Sequence, residues 1–195
     1  MNERHHMRRI ATRTLLFDMF LDENRQLHAH GRLQDDRFIS FIDFDGGRIS
    51  PGLFHDLAVD MVVDILTLEI LDIAVLFDKA PEEACKEIAP VYQQLKGVRI
   101  ASGFTRKVLE LAGGPGGCAH VTHLIIAMGP AIVQGAFTVL AEASSSGPGE
   151  PQISDVLMKE YFLNSCHVWK ERPPARLEAS AKNQTSDQHS DNANA

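Results

Sequence analysis

The spacing of the apolar residues changes near residue 78, and this change constrains the fold more than any other feature of the sequence. Before it, apolar and polar residues alternate, most clearly over residues 57–63, where the odd-numbered residues are apolar and Asp60 faces the other way. Period-two alternation is typical of a strand with one buried face. The sequence therefore predicts an α+β fold, with an antiparallel sheet of four or five strands over residues 9–77, in the N-terminal half, followed by helices packed on one face.

The second half of the chain has the signals of helices. Asp78 is placed to act as an N-cap for the first of them, and Ser102 for the second. A Gly-Pro step, Gly129-Pro130, should break or bend the third. The helices are predicted over residues 81–96, 103–112 and 118–143.

Composition indicates one folded domain with two unfolded ends. A chain of 195 residues has the size of a single domain with some residues to spare. Residues 1–8 are polar and basic and are predicted to be frayed, and residues 9–170 to form the single α+β domain. Residues 171–195 contain almost no large apolar side chain, so burial cannot offset the entropy of ordering them, and a disordered tail is predicted.

Charge and hydrophobicity limit the expected partners. A formal net charge of −7 argues against nucleic acid as a partner. No uninterrupted apolar run approaches the roughly 20 residues that cross a bilayer. The first residues also lack the pattern of a secretory signal, so the prediction is a cytoplasmic protein without a membrane partner. The long helix predicted after Cys118 has more apolar surface than one sheet face covers, so the formation of a homodimer stays open.

The cysteines do not indicate a disulfide framework, because there are only three of them and they lie far apart in the sequence. Cys166, which is followed by His167, is predicted to pack the C-terminal segment. Cys118 has the most informative context, since it follows the sequence GGPGG and opens a predicted helix. Free backbone N–H groups and the positive end of the helix dipole converge there and favour the thiolate, which binds metals or attacks electrophiles.

Histidines lie close to Cys118 in the sequence. His120 is two residues further on, and His123 follows His120 by about one helical turn. The alternative interpretation is a glycine-rich helix start with a capping cysteine and surface histidines. Both interpretations stay open on the sequence alone.

Three other residues could join Cys118 in a metal site. His55 shares the parity of the apolar set at the start of the clearest strand, with Asp56 beside it, and Cys85 lies near the start of its own predicted helix. Imidazole and thiolate are the usual ligands of zinc. No CxxC or HExxH pair marks the site locally. We predict a Zn²⁺ site with His55, Cys85 and Cys118 as ligands, and with Asp56 or His120 as the fourth ligand or as a partner of a ligand.

The order of these motifs resembles a known family. The segments FHDLAVDM, P-x-x-x-C, L-x-G and GGPGGCAHVTHL, over about residues 8–169, resemble a bacterial family known only as domain of unknown function 2889, which implies no activity. More distantly they are similar to iron–sulfur scaffold proteins of the NifU, IscU and SufU kind, whose three cysteines lie at a strand start and at two helix starts. The corresponding residues are His55-Asp56, Cys85 and Cys118. A histidine in the first place favours a single zinc over cluster assembly.

Three functions follow as hypotheses. The first is a zinc-binding domain for sulfur or metal handling, or for metal-assisted chemistry on a small molecule, whose partner is that molecule or a sulfur- or metal-transfer protein. The second is a metal-free thiol enzyme in which Cys118 is the nucleophile and His120 or His55 the base. The third is a non-catalytic binding module. Whether the protein is an enzyme stays open.

Overall fold

The computed structural model describes residues 7–43 and 45–144, together with His167 and Lys170. The chain divides into two compact units, Met1–Glu150 and Pro151–Ala195, and all the helices and strands given below belong to the first unit. Residues 1–6, the tail predicted over 171–195, and Cys166 lie outside the described residues.

A four-stranded antiparallel sheet forms the frame of the first unit, as the alternation predicted. Its strand order is β1-β2-β5-β6, and β3 and β4 pair with each other as a separate two-stranded ribbon. The strands are β1 (Ala11–Leu21), β2 (Gln26–Arg37), β3 (Phe41–Ile42), β4 (Arg48–Ile49), β5 (Gly52–Asp64) and β6 (Ile70–Lys79).

The helices follow the sheet, and the predicted α+β class is confirmed. A 3₁₀ segment, Glu83–Leu95, packs on β6, and α1 (Phe104–Ala112) packs on that segment and on the last helix. The last helix, α2 (Ala119–Ser144), lies across the sheet and contacts β1, β2 and β5.

Both predicted helix caps are wrong. Asp78 lies within β6, where its carboxylate accepts a hydrogen bond of 2.9 Å from Arg32, so it cannot cap a helix. The N-cap position of α1 is occupied by Gly103, in the left-handed region at φ 89°, and not by Ser102, so no side chain accepts a capping hydrogen bond there. Of the two effects predicted for Gly129-Pro130, the helix does not break, because α2 continues through Pro130.

One face of the sheet and one side of α2 form the core. The alternating residues of β2 and β5 that point to this face are buried, among them Leu33, Leu57 and Val59. Gly31 lies on the same face, where a Cβ would collide with the side chain of Met128, so glycine lets α2 approach the sheet closely. The buried residues of α2 recur at helical spacing: Val121, Leu124, Ile125, Met128, Ile132, Ala136 and Leu140.

The length and composition of α2 are also those of a helix that could cross a membrane. Residues Ala119–Glu142 are long and apolar enough to cross a bilayer by those two criteria. In the structure one side of this helix packs on the sheet, and 39% of its apolar window is buried.

Candidate functional site

Three adjacent strands place charged and imidazole side chains in one row at an end of the core face. In the register of the sheet, Arg13 of β1 lies opposite Asp35 of β2, which in turn lies opposite His55 of β5. A β-bulge follows at once, because Asp36 pairs with Leu53 and leaves Phe54 as an extra residue. The row therefore sits where the regular sheet ends, and its side chains face the start of α2.

His120, in the first turn of α2, completes the group. Its ring stacks on the ring of His55, with 3.9 Å between centroids and 33° between planes. Asp35 Oδ2 lies 3.1 Å from Nδ1 of His55 and 3.7 Å from Nε2 of His120. One ligand atom from each of these three residues lies within 4.8 Å of the other two. The cluster is largely sealed from solvent, since Asp35 and His55 are buried.

Asp35 carries the negative charge of the cluster. Arg13 donates to both of its oxygens, from Nε at 2.7 Å and from Nη2 at 2.6 Å, and Nη2 of Arg37 lies 4.0 Å from Oδ2. Burial acts to raise the pKa of Asp35, but the hydrogen bonds and charge of Arg13, together with His55 and Arg37, outweigh it and lower that pKa. The carboxylate is therefore ionised at neutral pH.

The two imidazoles are held in the neutral form. Burial, together with the nearby His55 and Arg13, lowers the pKa of His120 to about 4, against the opposing effect of Asp35. Burial also lowers the pKa of His55, in spite of the hydrogen bond with Asp35. At pH 7 each ring therefore keeps an unprotonated nitrogen, which is the form that binds a metal or accepts a proton.

Cys118 is fixed in place through its backbone. Its N–H donates to the hydroxyl oxygen of the fully buried Tyr92 at 2.8 Å, and that hydroxyl also lies 3.0 Å from the carbonyl of Cys118 and 3.0 Å from Oγ1 of Thr122. Thr122 in turn donates to the carbonyl of Ala112 at 2.8 Å. Gly117 passes so close to Ala112 that a Cβ would overlap this carbonyl oxygen. The loop conformation thus sets where the thiol lies.

The thiol of Cys118 contacts the far side of the His120 ring. Its Sγ lies 3.8 Å from Nδ1, while Nε2 of the same ring faces Asp35. Cys118, His120 and Asp35 consequently form a connected series. Cys118 itself is not a member of the three-residue ligand cluster.

The structure brings together three of the five residues predicted for the site: His55, Cys118 and His120. Asp56 lies on the opposite face of the sheet, because neighbours in a strand point to opposite sides. There it accepts hydrogen bonds from Arg32 at 2.8 and 2.7 Å and from Gln34 at 2.9 Å. Cys85 is half-buried in the 3₁₀ segment and is not part of the ligand cluster.

Sequence reasoning missed Asp35 and Arg13. The signal was present, because the buried alternation of β2 reaches Leu33, and the next residue of that parity is Asp35. A carboxylate at a core position needs a partner, and the strand before it offers Arg13 at the same end. Arg13 meets this carboxylate only through the pairing of β1 with β2, which the sequence does not display.

The comparisons with known proteins give a family and no activity. Residues 11–134 of the 195 match the family described as "Protein of unknown function (DUF2889)". No curated protein and no solved structure matches. The comparisons therefore do not support the resemblance to iron–sulfur scaffold proteins.

Proposed function

The chain belongs to the DUF2889 family of proteins of unknown function, and from the geometry of its site we propose that it binds one divalent transition-metal ion, zinc in the first place, through Asp35, His55 and His120. In this proposal the ion serves metal-assisted chemistry on a small molecule. Handling of sulfur or metal is the less favoured role, since two cysteines of the predicted ligand set are absent from the cluster.

The observation that carries the proposal is the convergence of three metal-type donors at one buried point. Two donors that are each about 2.0–2.1 Å from a tetrahedral zinc are separated by about 3.3 Å. The contacts from Asp35 Oδ2 to His55 Nδ1 and to His120 Nε2, 3.1 and 3.7 Å, bracket that value. The two imidazole nitrogens lie within 4.8 Å of each other, so an ion fits once the two rings turn toward a common point.

The protonation states and lone pairs also suit a metal. Both imidazoles are neutral and Asp35 is ionised, so binding requires only the tautomer of His55 that carries its proton on Nε2 and leaves Nδ1 free for the metal. A carboxylate has about four lone-pair positions, of which Arg13 occupies two. Oδ2 keeps a position directed toward His55, so Asp35 can bind a metal and Arg13 together.

The composition of the donor set narrows the choice of metal and role. Two imidazoles and one carboxylate suit Zn²⁺ and also Fe²⁺, and they suit Ca²⁺ or Mg²⁺ poorly because those ions prefer oxygen. Three protein ligands with a free position are the arrangement of catalytic zinc sites, whereas structural sites use four. The donor count thus favours a metal that acts on a bound molecule.

The test is a zinc titration of protein prepared without a histidine tag and stripped with a chelator. Isothermal calorimetry should give one zinc per chain for the wild type. In His55→Ala, His120→Ala and Asp35→Asn we expect a loss of at least about 100-fold in affinity, because each removes a direct ligand. His123→Ala is the matched control, as it removes an exposed histidine of the same helix. Absence of stoichiometric zinc, or equal losses in the control, would contradict the proposal.

A second function has one specific observation in its favour. The series Cys118–His120–Asp35, with contacts of 3.8 and 3.7 Å, has the order of nucleophile, base and orienting carboxylate. A metal-free thiol enzyme would show rapid alkylation of Cys118 by iodoacetamide at neutral pH, slowed in His120→Ala. Cys85 serves as the internal reference in peptide mapping. Equal alkylation of the two cysteines would argue against this function.

A further inference from the structure

We propose that the molecule bound at this site is a small oxyanion, carrying a carboxylate or phosphate group, and that Arg13 and Arg37 recognise it. The inference names the substrate class of the metal site and rests on the function proposed above. It derives from the balance of permanent charges and from the unused hydrogen-bond donors of the two arginines.

The charges at the site do not balance. Two guanidinium groups, those of Arg13 and Arg37, approach a single carboxylate, Asp35. Among the residues that the structure describes, no other carboxylate forms an ion pair with either arginine. The group carries one excess positive charge without a metal, and a divalent ion raises the excess to three. An anionic ligand in the free metal position reduces this excess, whereas a cationic or neutral one does not.

The arginines also keep donors for a ligand. Arg13 uses Nε and Nη2 on Asp35, and its Nη1 group donates to none of the described residues. The side chain of Arg37 forms no hydrogen bond within the described part of the chain and is held by its approach to Asp35 and by the ring of Phe54, 5.7 Å from the guanidinium carbon. A planar guanidinium with free N–H groups matches the geometry of carboxylate and phosphate oxygens.

The two arginine side chains are partly exposed to solvent, whereas the carboxylate of Asp35 that they bind is not. The side chains of Arg13 and Arg37 are 41% and 30% exposed, and that of Asp35 is 1% exposed. The other nearby arginine is already engaged: Arg9 donates to Thr12 Oγ1 and lies 4.4 Å above the ring of Phe38. An anion arriving from solvent therefore meets two guanidinium groups beside the metal ligands.

The test is calorimetric titration of the zinc-loaded protein at low salt with two probes, acetate and inorganic phosphate. Arg37→Gln is the principal variant, since Arg37 makes no hydrogen bond that the fold requires. We expect it to weaken binding of the preferred anion by about 10-fold or more, the loss typical of a charge-assisted hydrogen bond. Arg106→Gln is the matched control, because its side chain is 83% exposed on α1, and it should bind like the wild type.

The results of these anion titrations can be distinguished from those of the zinc titration that tests the metal proposal. Binding of either probe that is weakened in Arg37→Gln and not in Arg106→Gln supports the inference, and the tighter probe identifies the carboxylate or the phosphate as the recognised group. Failure to bind both probes, or binding unchanged in Arg37→Gln, overturns it. If the protein binds no zinc, the same titrations are made on the metal-free protein, where the excess charge persists and the same two criteria apply.

Discussion

Acidification from pH 7 to pH 5 should destabilise the metal-free protein through His120. Burial lowers the pKa of this residue from its ordinary value of 6.5 to about 4. The unfolded chain therefore takes up a proton below pH 6.5, while the folded chain stays neutral until about pH 4. Stability is complete above the unfolded value and is lost as the pH falls toward the folded one.

The two values set the magnitude of this loss. Integrated from pH 7 to pH 5, they give a decrease of about 2 kcal/mol in the free energy of unfolding. The side chain of His120 is 27% exposed, so screening by solvent reduces this change in the free energy of unfolding only slightly. This is a large fraction of the roughly 5–15 kcal/mol that stabilises a typical domain.

The assay is urea unfolding followed by circular dichroism at several pH values, with a chelator present throughout. His120→Gln keeps a polar side chain and removes the titration, so its stability should fall by about 2 kcal/mol less over the same pH range. His123→Gln, on the exposed side of α2, should keep the wild-type slope. Equal slopes for the wild type and His120→Gln would refute the assignment of a buried neutral imidazole.

Two further predictions concern the segment that holds Cys118. Gly117→Ala should destabilise the protein by about 1–3 kcal/mol and weaken zinc binding, because its Cβ would overlap the carbonyl of Ala112, while Gly116→Ala, with open space around it, should change neither quantity. Tyr92→Phe should cost about 1–3 kcal/mol in urea unfolding, because the N–H of Cys118 loses its acceptor, and a stability equal to wild type would contradict that role.

Much of the fold follows from short-range patterns in the sequence. The alternation in β2 and β5 reflects one buried and one polar face, and that period is visible without knowledge of the partner strands. Local sequence signals do not mark where the helical half of the chain begins. Asp78 has the chemistry of an N-cap, but β6 extends to Lys79, which pairs with Asp56 of β5, and Arg32, two strands away, binds the Asp78 carboxylate. Such a partner is distant in sequence, so local propensity cannot reveal it.

The site was only partly predictable for the same reason. His55, Cys118 and His120 were found because each stands at the start of an element, where side chains from several elements meet. Adjacency in sequence favours Asp56 as the carboxylate beside His55, whereas strand geometry turns Asp56 to the other face and brings Asp35 from β2. Which strand lies beside β5 depends on long-range pairing, and the bulge at Phe54 depends on it too.

The candidate site joins a sheet end and a helix start, and both supply its side chains. The sheet supplies the permanent charges of Arg13 and Asp35, and α2 supplies the second imidazole. The bulge in β5 and the glycine loop before α2 are the local features that let these groups approach. A substitution in either feature should therefore alter ligand binding.

The most direct test of the proposed metal site is X-ray absorption at the zinc edge of the zinc-loaded protein. With Asp35, His55 and His120 as ligands, the spectrum should show only nitrogen and oxygen neighbours at about 2.0–2.2 Å, with the scattering pattern of two imidazoles. Sulfur neighbours at about 2.3 Å would contradict this ligand set and would point back to the cysteines.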